Sequence, residues 1–286
     1  MIKLFASDLD GTLLNLLHRT DGTITRSIRE VIDAGAHFAV ATGRTMRSNG
    51  DFGFEGLGCE AICANGSMVI DGSGELVRHV TIRPDLVEEL LGAFPTIPFE
   101  CVGTSHSYVR GSEAALQDGF RTDGLVRRVF TNIALSGMRK ALRARDERRF
   151  DCTDAQVLAH DICKVNCRVP DAGLARELAA FLADHTDAVV NAPFNPVMFE
   201  ITAAGVNKGE AVAWLANYLG IREDEVAVYG DGGNDVVMLA RYAEFGHAYA
   251  PRGASEGAKR VASEIIGSCA FHAVPRHMVR TVRAGA

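Results

Sequence analysis

Short apolar runs alternate with helical periodicity from the first residues onward. Residues 2–7 read as a strand, residues 26–34 as a helix with Ile28, Val31 and Ile32 on one face, and residues 38–41 as a second strand. That is a βαβ opening. Residues 61–64 read as a further buried strand. The runs 67–70 and 75–82, separated by Asp71-Gly72-Ser73-Gly74, are expected to pair as a hairpin. From Pro84 the pattern changes to a helix over 85–94, carried by Leu86, Val87, Leu90 and Leu91. Short polar strands follow, then a basic stretch at 139–149 and an amphipathic helix around 174–182. After Gly205 the first pattern returns, with a helix over 208–219, a buried strand over 226–229 and a helix from 235 through 239. The reading is an α/β fold, a doubly wound, mainly parallel sheet built from residues 1–83 and 196–286, with an α+β unit inserted at 84–195.

The chain has 286 residues, 47% hydrophobic and 23% charged, which is the balance of a globular protein and excludes a disordered or fibrous one. No apolar run approaches the roughly 18 residues of a membrane span, and neither a span nor a signal peptide is expected. Against 36 acidic residues stand 30 lysines and arginines, a net charge of -6 with no long run of one sign, so neither nucleic acid nor membrane is expected as a partner. The basic stretch at 139–149 is interleaved with Asp146, Glu147 and Asp151 and is expected to be a solvated helix face. The seven cysteines are scattered, and their two Cys-x3-Cys pairs lack zinc-site spacing, so reduced thiols in a cytoplasmic protein are expected.

Four short motifs change this picture. Asp8-Leu9-Asp10-Gly11-Thr12 follows the first strand, and in extended chain residues two apart point the same way, so Asp8 and Asp10 can project together past the strand's C-terminal edge. Two such anions call for a cation such as Mg²⁺ or a raised pKa. Thr42-Gly43-Arg44 follows the second strand, where a hydroxyl and an open amide at the head of a helix make a small phosphate cradle. Lys208, in Gly205-Val206-Asn207-Lys208-Gly209, sits in the first turn of a helix, a place unfavourable for a cation unless it neutralises a bound anion. Gly230-Asp231-Gly232-Gly233-Asn234-Asp235 follows another buried strand and brings Asp231 to the same edge. Each motif has a structural reading as a turn, cap or surface residue, but a doubly wound sheet can gather all four.

Together they resemble the haloacid dehalogenase (HAD) superfamily, in particular its Cof-type phosphatases with a large inserted cap (subclass IIB). Those proteins carry Asp-x-Asp-Gly-Thr, Thr-Gly-Arg, a Lys-Gly helix start and Gly-Asp-x-x-Asn-Asp-x-x-Met-Leu, matched here through Met238 and Leu239, and Ala64-Asn65-Gly66 matches their Asn-Gly hairpin. The resemblance implies a Mg²⁺-dependent phosphatase of small phosphomonoesters, sugar phosphates or a phosphorylated cofactor, with a cap that closes over the cleft. Asp8 is then the nucleophile and Asp10 the acid and base. Leu9, Thr42, Gly43, Lys208 and Asn234 hold phosphate, and Arg44 contacts substrate or cap. Asp8, Asp10 through its carbonyl, and Asp231 hold the metal, with Asp235 behind or through water. A phosphomutase or other phosphotransferase, and a non-catalytic module binding a phosphorylated ligand, are the alternatives on the same scaffold. Where many relatives read Met-x-Asn-Ala, this chain has Ala250-Pro251-Arg252-Gly253-Ala254, a departure that touches the loop beside the site.

Overall fold

The computed structural model describes residues 1–118, 148–192 and 198–285. Its strands are β1 Leu4–Ser7, β2 His37–Ala41, β3 Glu60–Cys63, β4 Met68–Ile70, β5 Leu76–His79, β6 Glu100–Gly103, β7 Ser107–Val109, β8 Arg148–Arg149, β9 Ile162–Arg168, β10 Val189–Asn191, β11 Met198–Ala203, β12 Val226–Tyr229, β13 Ala248–Pro251 and β14 Glu264–Ile266. Its α-helices are α1 Gly22–Asp33, α2 Pro84–Ala93, α3 Glu113–Asp118, α4 Asp154–Leu158, α5 Ala172–Asp184, α6 Lys208–Tyr218, α7 Val236–Ala243, α8 Glu256–Val261 and α9 Ala273–Gly285. Two compact units result, Met1–Arg78 with Asn207–Ala286, and His79–Val206.

The first unit is an eight-stranded sheet in the order β14-β13-β12-β1-β2-β3-β4-β5, parallel from β14 to β3, with β4 antiparallel to β3. β1 and β12 are buried along their whole length, as strands covered on both faces must be. Leu4 and Ala6 point to one face, where they join Val212 and Leu215 of α6 and Met238 and Leu239 of α7. α1 and α9 pack together outside that cluster, on the opposite face. From β1 the chain builds outward through β2 and β3 on one side and, later, through β12 to β14 on the other. This reversal makes the C-terminal ends of β1 and β12 a topological switch point, where open α/β sheets bind ligands.

The second unit is a six-stranded sheet in the order β10-β11-β9-β6-β7-β8, antiparallel except between β7 and β8. Cys101, Tyr108, Val165, Phe199 and Ile201 form its apolar face, packed with Leu90 of α2, Val157 of α4 and Leu178 of α5.

Several boundaries differ from those expected. Residues 198–203, assigned from the sequence to the first unit, form β11 and hydrogen-bond to β9 and β10 in the second sheet, so the chain re-enters the first unit at Asn207. α1 starts at Gly22 because the Asp21 carboxylate accepts from the Thr23 and Ile24 amides, a cap that precedes the apolar stripe. Arg148 and Arg149 are not part of a helix face; they form β8 beside β7, while 139–147 lie outside the described residues. Among the described residues no helix is long and apolar enough to cross a membrane.

Candidate active site

Asp8 is the first residue past β1. Its amide donates to the carbonyl of Tyr229, the last residue of β12 (2.9 Å), so Asp8 and Asp231 leave the sheet side by side. Asp8 Oδ1 accepts from Lys208 Nζ at 2.7 Å, and the same ammonium donates to Asp235 Oδ1 at 2.6 Å. Lys208 is fully buried at the start of α6, where Asn207 caps the helix by accepting from the Glu210 amide (2.9 Å). Burial works to lower an ammonium's pKa, but the Asp235 and Asp8 carboxylates outweigh it and hold Lys208 above its ordinary value.

Carboxylate oxygens of Asp8, Asp231 and Asp235 lie within 4.8 Å of one another. These three acids face one ammonium. Burial pushes the Asp8 carboxyl well above the usual range; Lys208 opposes the rise, and Asp235 and Asp231 add to it. Burial also pushes Asp231 up to about 6, although Thr12 Oγ1 donates to its Oδ1 at 2.7 Å. Uncompensated negative charge in a sheltered all-oxygen donor set fits a hard divalent cation such as Mg²⁺. Both Asp235 oxygens are already engaged, because Oδ2 accepts from the amides of Asp231 (3.0 Å) and Gly232 (2.8 Å). Asp235 therefore pins the loop that carries Asp231. Gly11 has φ +79°, and a Cβ there would stand 2.3 Å from Asp231 Oδ2, so glycine is what lets the turn after β1 lie against this acid.

Asp10 departs from expectation. The chain leaves the extended form in a wide turn over Leu9–Leu13, so the Asp10 carboxylate does not project with that of Asp8 and is not in the three-acid group. It is held instead by Arg44, whose Nε donates to Oδ2 (2.6 Å) and whose Nη2 donates to Oδ1, and by His18 Nδ1 at 2.9 Å from Oδ1. Burial raises the Asp10 carboxyl, but the His18 bond and the Arg44 pair outweigh it and keep it below the ordinary value. His18 is raised in turn by its bond to Asp10.

Thr42 and Gly43 follow β2 at the same edge, but no helix begins there. Residues 42–50 form an irregular loop in which Thr42 Oγ1 accepts from the Arg44 amide (3.1 Å), a local turn that competes with helix formation. A Cβ on Gly43 would lie 2.8 Å from Asn65 Oδ1 and 3.5 Å from Asn234 Nδ2. Those two side chains are joined by a 3.1 Å hydrogen bond from Asn234 to Asn65. Asn65 is buried, with left-handed backbone in the turn Ala64–Gly66 after β3. Leu9 is buried beside Asp8.

The ends of β1, β2, β3 and β12 and the start of α6 thus place Asp8, Lys208, Asp231, Asp235, Thr42, Gly43, Asn65 and Asn234 at one sheet edge. A family model described as haloacid dehalogenase-like hydrolase matches residues 5–278. The chain belongs to this family. HMP-PP phosphatase of Yersinia enterocolitica is 27% identical to it over 246 residues, covering 84% of this chain and 81% of that protein. The 5-amino-6-(5-phospho-D-ribitylamino)uracil phosphatase YcsE of Bacillus subtilis is 26% identical over 240 residues, covering 83% and 80%. A solved haloacid dehalogenase-like hydrolase from B. subtilis shares the fold, with a TM-score of 0.79 and 24% identity over 97% of this chain and 99% of that one. The family, the doubly wound core and the enzyme class expected from the motifs, a phosphatase, are borne out.

Three members of the haloacid dehalogenase-like site escaped the sequence reading. Asn65 was legible only as a turn residue, and Thr12 only as the end of a motif. His18 carried no signal, because it lies in an aperiodic loop and reaches Asp10 through a left-handed backbone. The 250–254 departure connects to the site through the main chain, since the following Ser255 amide donates to the Asp231 carbonyl (2.9 Å).

Proposed function

We propose that this haloacid dehalogenase-like phosphatase hydrolyses small phosphomonoesters, sugar phosphates or a phosphorylated cofactor, through an aspartyl-phosphate on Asp8. The observation that carries the reading is the buried Asp8 carboxylate at the end of β1, with Oδ1 fixed by the Lys208 ammonium. Asp8 Oδ2 attacks phosphorus, the bond to the leaving oxygen breaks, and Asp10 gives that oxygen a proton. Asp10 then takes a proton from water, the hydroxide displaces Asp8 from phosphorus, and inorganic phosphate leaves. In the free enzyme Arg44 and His18 favour ionised Asp10, the form needed as base. A substrate phosphate offers Arg44 a competing anion, which loosens its hold and lets Asp10 serve first as acid. Lys208, the Thr42 hydroxyl, the amides of Leu9 and Gly43 and the Asn234 side chain bind the phosphoryl oxygens and offset their charge. Mg²⁺ held by Asp8, Asp231 and the Asp10 carbonyl, with Asp235 in support, would neutralise charge on the transferring group.

The small-metabolite class rests on the relatives, named for HMP-PP and for a phosphoribitylamino-uracil. The test is phosphate release from a panel of sugar phosphates, nucleotides and an aryl phosphate, with Mg²⁺ and with chelator. Mg²⁺-dependent release that vanishes in Asp8→Asn supports the reading. Wild-type turnover in Asp8→Asn overturns the nucleophile. Stoichiometric binding without release indicates a binding module, and phosphoryl exchange between sugars without free phosphate indicates a mutase.

A further inference from the structure

At the other end of β2 and β3 the first unit holds a second cleft, of about 450 Å³. Ile32, Phe38 and Tyr218 line it together with His37, Glu60 and Asp71. His37 opens β2 and Thr42 follows its end, a separation of roughly 16 Å at the rise of an extended strand, so this cleft is remote from the phosphate edge.

The chemistry of the two places is opposite. Glu60 is only 5% exposed at its side chain, and its Oε1 lies 2.7 Å from His37 Nδ1. Its Oε2 is out of solvent and has no hydrogen-bond donor among the described residues, an arrangement that costs free energy until a donor arrives. Asp71 adds a second negative charge, with its Oδ1 taken up by the Ser73 hydroxyl and the Ser73 and Glu75 amides. Among the described residues no lysine or arginine lines the cleft, so it repels the anions that the other edge collects. Among the described residues its acids do not come together as a metal-holding group of three, as Asp8, Asp231 and Asp235 do.

We propose that this cleft binds a small organic cation, a primary ammonium on an apolar body, with the ammonium donating to Glu60 Oε2 and the body resting on Ile32 and Tyr218. One carboxylate suffices for an ammonium, which brings its own donors. His37, 42% exposed at its side chain, is the wall that turns aside to admit it. Tyr218 is half-exposed and stacked on Trp214 (ring centroids 5.3 Å apart), which sets an aromatic surface at the mouth.

Benzylamine, with benzyl alcohol as its uncharged counterpart, tests the proposal by amide NMR titration of the full chain at constant ionic strength. Benzylamine is expected to give saturable shifts at Ile32, His37, Gly72 and Tyr218 with a dissociation constant in the millimolar range, and benzyl alcohol none. Glu60→Gln is expected to weaken binding about tenfold or more, and Tyr218→Ala several-fold, with other resonances unmoved. No saturation up to ~50 mM, or equal shifts with the alcohol, overturns the proposal. Unchanged affinity in Glu60→Gln overturns it too. Should that variant fail to fold, Tyr218→Ala decides on its own, because unchanged affinity there removes the binding surface. Phosphate release is read in parallel and is expected to stay at its native level, so this result and the phosphatase assignment stand or fall separately.

Discussion

Lys208→Met keeps the apolar length of the side chain and removes the ammonium shared by Asp8 and Asp235. At pH 7 the folded variant must then either keep an unpaired buried charge or bind a proton. Protonating a carboxyl whose unfolded pKa is about 3.9 costs about 1.4 kcal/mol for each pH unit above it, so about 4 kcal/mol at pH 7 and about 1.5 kcal/mol at pH 5. The first figure lies within the roughly 3–5 kcal/mol lost when one partner of a buried ion pair is removed. Burial holds the Asp8 carboxyl up even with the lysine present, and losing the ammonium pushes it further in the same direction. A carboxyl raised in the folded state favours folding as pH falls and opposes it as pH rises, so the deficit grows with pH. Trp214, the one tryptophan in the chain, lies in the helix that Lys208 begins and reports on it directly. Urea unfolding in chelator, followed by its fluorescence, is expected to show a loss of about 3–4 kcal/mol against the native chain at pH 7 and no more than about 1.5 kcal/mol at pH 5. Added Mg²⁺ is expected to recover more stability in the variant than in the native chain, because a bound cation replaces the missing charge. An equal loss at both pH values, or a loss under about 1 kcal/mol at pH 7, would refute the view that Lys208 compensates buried carboxylates.

Asp8→Asn removes one of three crowded negative charges, so turnover is expected to disappear while the thermal midpoint in chelator stays level or rises; a calorimetric scan showing a drop of several degrees would contradict it. Gly43→Ala drives a Cβ to 2.8 Å from Asn65 Oδ1 and is expected to split the Asn65–Asn234 pair, raising KM for a phosphate ester about tenfold with little change in unfolding midpoint, measured by steady-state kinetics and urea titration. Asp21 is raised by burial, yet bonds from His272, Asn15 and the Ile24 and Thr23 amides hold it at about 2. A depressed carboxyl stabilises the fold above its unfolded pKa and stops doing so as pH falls through its folded value, so the contribution fades from pH 4 to 2. The side chain is 32% exposed, and solvent screening leaves about 1 kcal/mol of that contribution. Asp21→Ala is expected to lose this together with the α1 cap whose amide bonds supply part of it, about 1–2 kcal/mol in all at pH 7, and chemical denaturation across pH 2–7 should show the gap to the native chain narrowing toward the acid end.

Much of the core was legible because its signals are local. Residues 226–229, four apolar positions ahead of Gly230, had one way to be buried and form β12 over those same residues. Lys208 was placed in the first turn of a helix by the Gly205–Gly209 motif and the helical pattern after it, and it stands at the first position of α6. Asp8 and Asp231 were placed at strand ends by the same reasoning, and a doubly wound sheet brings such ends together. Tertiary structure decided which acid faces which cation. Asp10 was paired with Asp8 by strand alternation, yet the turn at Leu9 sends its carboxylate to Arg44, 34 residues away, and to His18. Thr42-Gly43 read as a helix start, but the loop it opens makes room for Asn65 and Asn234, joined across 169 residues. β11 read as part of the first unit because a strand of six residues does not name its neighbour; hydrogen bonding to β9 does. Periodicity and capping act over a turn or two of chain and are written in consecutive residues. The partner of a buried charge depends instead on which distant segments packing makes adjacent, and on the cost of leaving that charge alone.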